Sequence, residues 1–206
     1  RLAGELSLNV HGLHAHTGSG IVDIGNWVET AETLAKIATD LGGVTTLNIG
    51  GGFGVPDSAN PKRVDLAALD QTLVAFRDMH PGLELWIEPG RYLVALSGVL
   101  LARVTQLKQK GTQGYIGVAT GMNALIRPAL YGAFHEIVNL SRLGQANAGI
   151  YDVVGPICES GDVLGHDRLL PETREGDVLL VANTGAYGRA MASSYNLREP
   201  PEELFV

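Results

Sequence analysis

The chain has 206 residues, of which 45% are hydrophobic, and this length and apolar content favour one large or two modest folded domains over a disordered chain. Its formal net charge of -7 is spread along the sequence without a basic run, which argues against a nucleic-acid partner. The longest apolar stretch, residues 92–104, is too short to cross a bilayer, and the single cysteine, Cys158, favours a reducing, cytoplasmic setting.

The first residues alternate apolar and polar side chains. Leu6, Leu8 and Val10 occupy every second position, which predicts a strand that ends near His16. Because the sequence starts without an initiator methionine and with a pattern typical of the middle of a fold, we expect the chain to be part of a longer protein.

Two amphipathic helices are predicted in the first half. The apolar stripe from Trp27 to Leu41 has spacings of three and four and is closed by Gly42, and a second stripe runs from Leu66 to Phe76. Each helix precedes a β-prone run, residues 44–49 and residues 83–87. Alternation of strands and helices predicts an α/β domain with parallel strands.

The second half has another organisation. From about Val94 onward, short β-prone runs are separated by turn signals such as those at residues 110–114 and 174–177. This pattern predicts an antiparallel, all-β domain. We therefore expect a domain boundary near residue 95, with one domain over residues 1–95 and the other over residues 96–206.

Three predicted strands of the first half end in polar or glycine-rich segments. These are residues 16–20 (HTGSG), residues 50–54 (GGGFG) and residues 88–91 (EPGR). The carboxyl ends of parallel strands lie on one side of a sheet, where α/β folds bind ligands. Glycine amides can hold a phosphate there, although a tight or mobile turn explains the glycines equally well.

Each polar side chain in these segments allows two interpretations. His14 and His16 lie two apart and would point the same way on a strand, which also suits a metal-dependent barrel hydrolase. Structural packing of one histidine is the stronger alternative. Glu88 needs a cation or a protonated nitrogen at the end of an apolar strand, and Arg91 could simply pair with it.

The second half contributes further candidates. Arg127 and Tyr131 are four apart and can grip one carboxylate from a loop, unless they form a surface ion pair and a packed phenol. Cys158 and Glu159 lie in a polar CESGD segment before a glycine turn. Tyr187 lies between small residues, where it forms an ordinary turn or faces a ligand.

Taken in order, the motifs HTGSG, GGGFG, EPGR, RPALYG, CESGD and GAYG resemble those of the diaminopimelate decarboxylases. This family belongs to the alanine-racemase-like, fold-type III enzymes that depend on pyridoxal 5'-phosphate. The resemblance spans essentially the whole chain. It implies the second part of a TIM-like (β/α)8 barrel, followed by an antiparallel β domain, in a cytoplasmic enzyme that makes lysine from meso-2,6-diaminopimelate.

The resemblance also implies roles for the cofactor-binding residues. His16 would stack on the cofactor ring, and Glu88 would bond the pyridine nitrogen and keep it protonated. The phosphate would be held by Ser19 and by the amides of the glycine run, with the EPGR segment and Tyr187 also at the cofactor. The residues concerned are Ser19, Gly50, Gly51, Gly52, Pro89, Gly90, Arg91 and Tyr187.

The substrate residues follow from the same resemblance. Arg91, Arg127 and Tyr131 would bind the distal carboxylate of the amino-acid substrate, and Glu159 would bind its distal ammonium. Cys158 would donate a proton in catalysis, in which His16 would also take part. Because this cysteine reaches into the neighbouring subunit's site in the family, a homodimer with shared active sites is implied.

One family residue has no counterpart. The lysine that these enzymes attach to the cofactor should come from an early strand, but the lysines here are Lys36, Lys62, Lys108 and Lys110. We expect that lysine upstream of Arg1 and the chain to be inactive alone. A decarboxylase of ornithine, arginine or a carrier-bound glutamyl group, a metal-dependent hydrolase and a non-catalytic fragment remain alternatives.

Overall fold

A computed structural model describes residues 2–206. The chain divides into two compact units. The first comprises the residues up to Pro56 together with Asn60–Leu93, and the second comprises Asp57–Ala59 together with Val94–Val206. Each unit encloses a hydrophobic core of its own.

The first unit alternates helices with short parallel strands. β1 pairs with β2 and β2 with β3, both in parallel, in the order β1-β2-β3. This confirms the parallel pairing predicted from the alternating pattern. The elements are α1 (Leu2–Glu5), β1 (Gly12–His14), α2 (Gly25–Leu41), β2 (Thr46–Asn48), α3 (Leu66–Met79), β3 (Glu84–Trp86) and α4 (Gly90–Val94).

The two long helices lie where their apolar stripes predict them. Trp27 of α2 is fully buried and belongs to the same core cluster as Leu47 of β2 and Phe76 of α3. Gly42 ends α2 with a φ of 69°, which a glycine adopts without strain. Asp65 caps α3 because its carboxylate accepts the N–H of Ala68 at 3.0 Å.

The strand predicted over Leu6 to Val10 is wrong. The residues before it form α1, and the first strand of the sheet begins only at Gly12. Leu6 and Leu8 are 62% and 60% exposed, so their alternation marks no buried face. A period of two over so few residues carries little information unless one face is packed.

The second unit contains a six-stranded sheet in the order β6-β9-β4-β5-β7-β8. Short helical turns of the 3-10 type occur at Ala95–Ser97, Leu140–Arg142, Arg189–Met191 and Tyr195–Leu197. The regular elements are β4 (Leu100–Lys110), β5 (Gln113–Val118), α5 (Arg127–Tyr131), β6 (Ile137–Asn139), β7 (Asn147–Val154), β8 (Val163–Pro171) and β9 (Val178–Val181).

This sheet is mixed and not purely antiparallel as predicted. The hairpin of β4 and β5 is antiparallel and turns at Gly111, which confirms the turn predicted there, but β5 and β7 pair in parallel. The connection between β5 and β7 contains α5 and β6, so it is long enough to cross over and return in the same direction. Turn signals locate strand ends but do not reveal such a crossover.

Across residues 2–206, no helix combines the length and the apolar character that spanning a membrane would require.

Candidate active site

The parallel sheet of the first unit sets the register of the three predicted ligand-binding segments. His14 at the end of β1 pairs with Asn48 of β2, which pairs with Trp86 of β3. The hydrogen bonding continues beyond these strands, since the N–H of Ala15 donates to the carbonyl of Asn48 at 3.0 Å. All three segments therefore leave the sheet on the same side.

Two residues past this row, His16, Gly50 and Glu88 lie side by side. The N–H of Glu88 donates to the carbonyl of Gly50 at 2.9 Å, and the His16 ring accepts the N–H of Gly51 at 3.2 Å. Gly50 carries no side chain between an imidazole on one neighbour and a carboxylate on the other. This arrangement brings together the two groups that the sequence predicts at the cofactor ring.

The glycine run is required by the chain itself. A Cβ on Gly50 would lie 2.6 Å from the carbonyl oxygen of Ala15, and φ is 74° at Gly50 and 82° at Gly52. Side chains on Gly51 and Gly52 would overlap the backbone carbonyls of Glu88 and Gly18. The glycines thus let the neighbouring strand-end segments approach each other.

Two of the three glycine amides expected to bind a phosphate already donate hydrogen bonds within the chain. The Gly50 N–H donates to the Asn48 side-chain oxygen at 2.9 Å, and the Gly51 N–H donates to His16 Nδ1. Within residues 2–206, the Gly52 N–H has no such acceptor. Because Nδ1 of His16 accepts, its neutral ring carries the proton on Nε2.

Trp27 of α2 holds the glycine segment through its carbonyl side. Its indole Nε1 donates to the Gly51 carbonyl at 2.9 Å, and its ring stacks on Phe53 at a centroid distance of 4.3 Å. The helical stripe identified Trp27 only as a core residue. A buried indole N–H needs an acceptor, and that rule is the one sequence signal for this contact.

Glu88 is held by partners other than Arg91. Its Oε1 accepts from Asn48 Nδ2 at 2.8 Å, and its Oε2 lies 3.7 Å from His14 Nε2. Arg91 instead donates from Nη2 to Ser19 Oγ at 3.3 Å. The simple ion pair of Glu88 with Arg91 is therefore wrong, and Ser19 and Arg91 come together as a pair of polar groups.

None of the four lysines belongs to β1, β2 or β3. Lys36 belongs to α2, Lys62 lies in the segment before α3, and Lys108 and Lys110 belong to β4. That the cofactor-bound lysine of the family is absent from the chain stays a prediction.

In the second unit, Arg127 and Tyr131 are the first and last residues of α5, whereas a loop was predicted. Pro128 at the first turn and Gly132 in the left-handed region after the helix favour one short helical turn, which RPALYG does not reveal by periodicity. Residues four apart on a helix share a face, so the two side chains remain neighbours. Arg127 Nη1 lies 3.0 Å from His135 Nε2.

A buried carboxylate holds the turn that carries Cys158 and Glu159. Asp162 is 3% exposed, and it accepts the N–H of Ile157 on Oδ2 and that of Met122 on Oδ1, both at 2.6 Å. Burial raises the pKa of Asp162, while the two amide donors oppose the rise. Cys158 and Glu159 are exposed at the tip of this turn.

Sequence reasoning missed Tyr195, which contacts Glu159 directly. The Tyr195 hydroxyl donates to Glu159 Oε1, and this hydrogen bond together with the charge of Glu159 raises the pKa of Tyr195. The sequence offers no signal for this pairing, because the two residues are 36 positions apart. An adjacent cavity of about 400 Å³ is lined by Met122, Asn123, Ile126, Ser193, Ser194 and Tyr195.

Tyr187 lies in a strained turn of the second unit. Its φ of 61° places a residue with a large side chain in the left-handed region, between buried Ala186 and Gly188. The phenol is 48% exposed. Its role at the cofactor stays a prediction.

Comparison with known families assigns the chain. Residues 1–95 match the family model described as "Pyridoxal-dependent decarboxylase, pyridoxal binding domain", and residues 55–185 match "Pyridoxal-dependent decarboxylase, C-terminal sheet domain". The chain belongs to the pyridoxal-dependent decarboxylase family. This confirms the resemblance drawn from the motifs and makes the metal-dependent hydrolase alternative wrong. Within residues 2–206, no three histidine, cysteine or acidic side chains cluster as metal ligands.

Individual relatives of this decarboxylase family agree. The chain is 38% identical over 219 positions to the diaminopimelate decarboxylase of Archaeoglobus fulgidus, covering 100% of the chain and 52% of that protein. It is 42% identical over 199 positions to the diaminopimelate decarboxylase of Campylobacter jejuni, covering 94% of the chain and 48% of that protein.

A solved structure of a diaminopimelate decarboxylase is also similar to this chain. Diaminopimelate decarboxylase from Helicobacter pylori, complexed with L-lysine, superposes with a TM-score of 0.84 at 34% identity, covering 94% of this chain and 48% of that one. The chain thus spans about half the length of the curated relatives it matches.

Proposed function

We propose that this chain serves in the pyridoxal 5'-phosphate-dependent decarboxylation of meso-2,6-diaminopimelate to L-lysine. Membership of the pyridoxal-dependent decarboxylases and the names of the relatives support the reaction class and the substrate. The observation that carries the proposal is the alignment of His16, Gly50 and Glu88 across the parallel sheet.

The residues of the first unit fit a flat, cationic ring with an anionic tail. Gly50 lets the segments that carry His16 and Glu88 approach each other, so the imidazole and the carboxylate lie on either side of one strand-end position. Glu88 would hold a proton at the ring nitrogen, since a carboxylate favours the protonated form of a neighbouring base. His16 would cover a ring face, and Ser19, the Gly52 N–H and Arg91 with the EPGR segment would hold the phosphate.

Bound pyridoxal phosphate supplies the electron sink that takes up the electron pair left when CO2 departs. The chain's own residues would supply binding and proton transfer. Arg127 and Tyr131, on one face of α5, would bind the distal carboxylate, and Glu159 would bind the distal ammonium. The Cys158 thiol would return one proton to the carbon that lost CO2, and Tyr187 would contact the cofactor.

We also propose the larger architecture that the family resemblance implies. The parallel strands β1 to β3 with α2 and α3 support part of a TIM-like barrel, and the predicted domain boundary near residue 95 belongs to this proposal. A cytoplasmic homodimer with shared active sites, to which Cys158 contributes, completes it. The exposed position of Cys158 is compatible with such a contribution.

The test uses protein produced from the complete coding sequence and loaded with pyridoxal phosphate. CO2 release is measured from meso-diaminopimelate, ornithine and arginine. We expect kcat/KM for diaminopimelate to exceed the other two by at least about 100-fold, because a site built for a distal charged group rejects substrates that leave it unpaired. Turnover of ornithine or arginine, with none of diaminopimelate, would assign the chain to another decarboxylase.

Glu159→Gln tests the substrate end separately. Loss of the carboxylate charge should raise KM for diaminopimelate by about tenfold, since a charged hydrogen bond contributes about 1.5–3 kcal/mol. Unchanged kinetics would remove Glu159 from the substrate site without affecting the reaction class.

A further inference from the structure

His135 is fully buried in the second unit, and both of its ring nitrogens have partners. Nδ1 lies 2.8 Å from the carbonyl oxygen of Ala182, which can only accept. Nε2 lies 3.0 Å from Nη1 of Arg127, which can only donate. The proton therefore resides on Nδ1, and the Nε2 lone pair accepts from the guanidinium.

The surroundings of His135 keep the ring neutral and in place. Burial lowers its pKa, and the nearby Arg127 and Arg168 lower it further, against the hydrogen bond to Ala182 and the charge of Asp57. The N–H of Ala182 donates to the carbonyl of Glu136 at 2.9 Å, so the acceptor of His135 is itself fixed by backbone pairing. The imidazole is a rigid acceptor and not a mobile base.

We infer that His135 is a positioning residue that orients the Arg127 guanidinium towards the distal carboxylate of the substrate. This inference rests on the proposed function, in which Arg127 binds that carboxylate. An arginine held at one nitrogen retains less rotamer freedom, so less conformational entropy is lost when the anion binds. Protonation of His135 would place an N–H opposite the N–H of Arg127 and remove this hydrogen bond.

Two substitutions at His135 test the hydrogen bonds of its two ring nitrogens separately. In His135→Asn the shorter amide can still donate to Ala182 but cannot reach Arg127, whereas in His135→Gln the amide oxygen lies near the Nε2 position and can accept from Arg127. The holoenzyme from the complete coding sequence is inhibited with L-lysine, which retains the distal carboxylate, and with cadaverine, which lacks it.

We expect His135→Asn to raise the inhibition constant of lysine by about tenfold, with less than a twofold change for cadaverine. His135→Gln should restore most of the lysine affinity. In the wild type, lysine affinity relative to cadaverine should fall as the pH drops through the titration of His135, and this dependence should vanish in His135→Gln. His166→Asn, at an exposed histidine paired with Asp152, is the control and should change neither constant.

Arg127→Gln distinguishes failure of the His135 inference from failure of the proposed role of Arg127. If it weakens lysine binding while His135→Asn does not, the inference is overturned and the role of Arg127 stands. If Arg127→Gln leaves the lysine and cadaverine constants unchanged, that role falls together with the inference. Nitrogen-15 NMR of the wild-type holoenzyme tests the geometry without any variant: a proton on Nδ1 of His135 is expected, and a proton on Nε2 would overturn the inference.

Discussion

Asn48 Nδ2 donates to Glu88 Oε1 at 2.8 Å. The same side chain accepts the N–H of Gly50 through Oδ1 at 2.9 Å. The Asn48 side-chain amide thus links Glu88 with the glycine segment. Glu88 is the carboxylate proposed to face the ring nitrogen of the cofactor. Asn48 positions both, although neither the strand pattern nor the motifs identify it.

Asn48→Asp should weaken pyridoxal phosphate binding by about tenfold, or about 1.4 kcal/mol. The substitution keeps the acceptor for Gly50 but replaces the donor to Glu88 with a second carboxylate, and like charges at this distance repel. Equilibrium dialysis of the cofactor measures the effect. Asn147→Asp, at the exposed start of β7, adds the same charge elsewhere and should leave the affinity unchanged. Equal affinities in wild type and Asn48→Asp would contradict this role.

Asp162→Asn should loosen the turn that carries Cys158. An amide offers one acceptor where Asp162 offers two, so the N–H of either Ile157 or Met122 stays buried without a partner, at a cost of about 1–3 kcal/mol of unfolding free energy. Hydrogen–deuterium exchange over residues 155–162 should accelerate. Asp177→Asn, a buried carboxylate bonded to Arg142, should lower stability without this local acceleration. Unchanged exchange in Asp162→Asn would show that other contacts hold the turn.

Tyr195→Phe should raise KM for diaminopimelate about fivefold, with kcat changed less than twofold. The hydroxyl holds Glu159 in one orientation, and a net hydrogen bond of this kind is worth about 1 kcal/mol. In a Glu159→Gln background the Tyr195 substitution should add little, which a double-mutant cycle measures. Tyr115→Phe, on β5, is the control. Fully additive effects would mean that the two residues act independently.

The ion pair of Asp177 and Arg142 should make the second unit sensitive to acid. Burial alone would raise the pKa of Asp177, but the hydrogen bonds from Arg142, Arg174 N–H and Asn139 lower it below its usual value. A lowered carboxyl pKa contributes stability above the unfolded-state pKa of about 3.9, and this contribution is lost as the pH falls through the folded-state value.

The test compares unfolding free energies of wild type and Asp177→Asn in urea. The difference should be about 1–3 kcal/mol at pH 7 and should narrow steadily below about pH 4. A difference that stays constant through the acid range would show that the charge of Asp177 does not stabilise the unit.

The sequence predicts the parts of this molecule that depend on local pattern. The stripe from Trp27 to Leu41 identifies α2, and the β-prone runs before Gly50 and Glu88 identify β2 and β3. The motifs also identify residues that the sheet aligns, His16 with Gly50 and Glu88.

The remaining features depend on contacts that no local pattern records. Asn48 acquires its role from the register of β2 against β3, and His135 from the return of β9, which brings Ala182 beside it. Tyr195 reaches Glu159 across 36 positions. The parallel pairing of β5 with β7 likewise follows from a crossover that turn residues do not specify. Motifs name the residues that would touch ligands, whereas their supporting partners are fixed by tertiary structure.

The central claim is that Glu88 lies at the ring nitrogen of a bound pyridoxal phosphate, in line with His16 and Gly50. Nitrogen-15 NMR of the holoenzyme, prepared with cofactor labelled at the ring nitrogen, tests it most directly. The account predicts a protonated ring nitrogen in the wild type and loss of that proton in Glu88→Gln. An unprotonated nitrogen in the wild type, or a protonated one in Glu88→Gln, would contradict it.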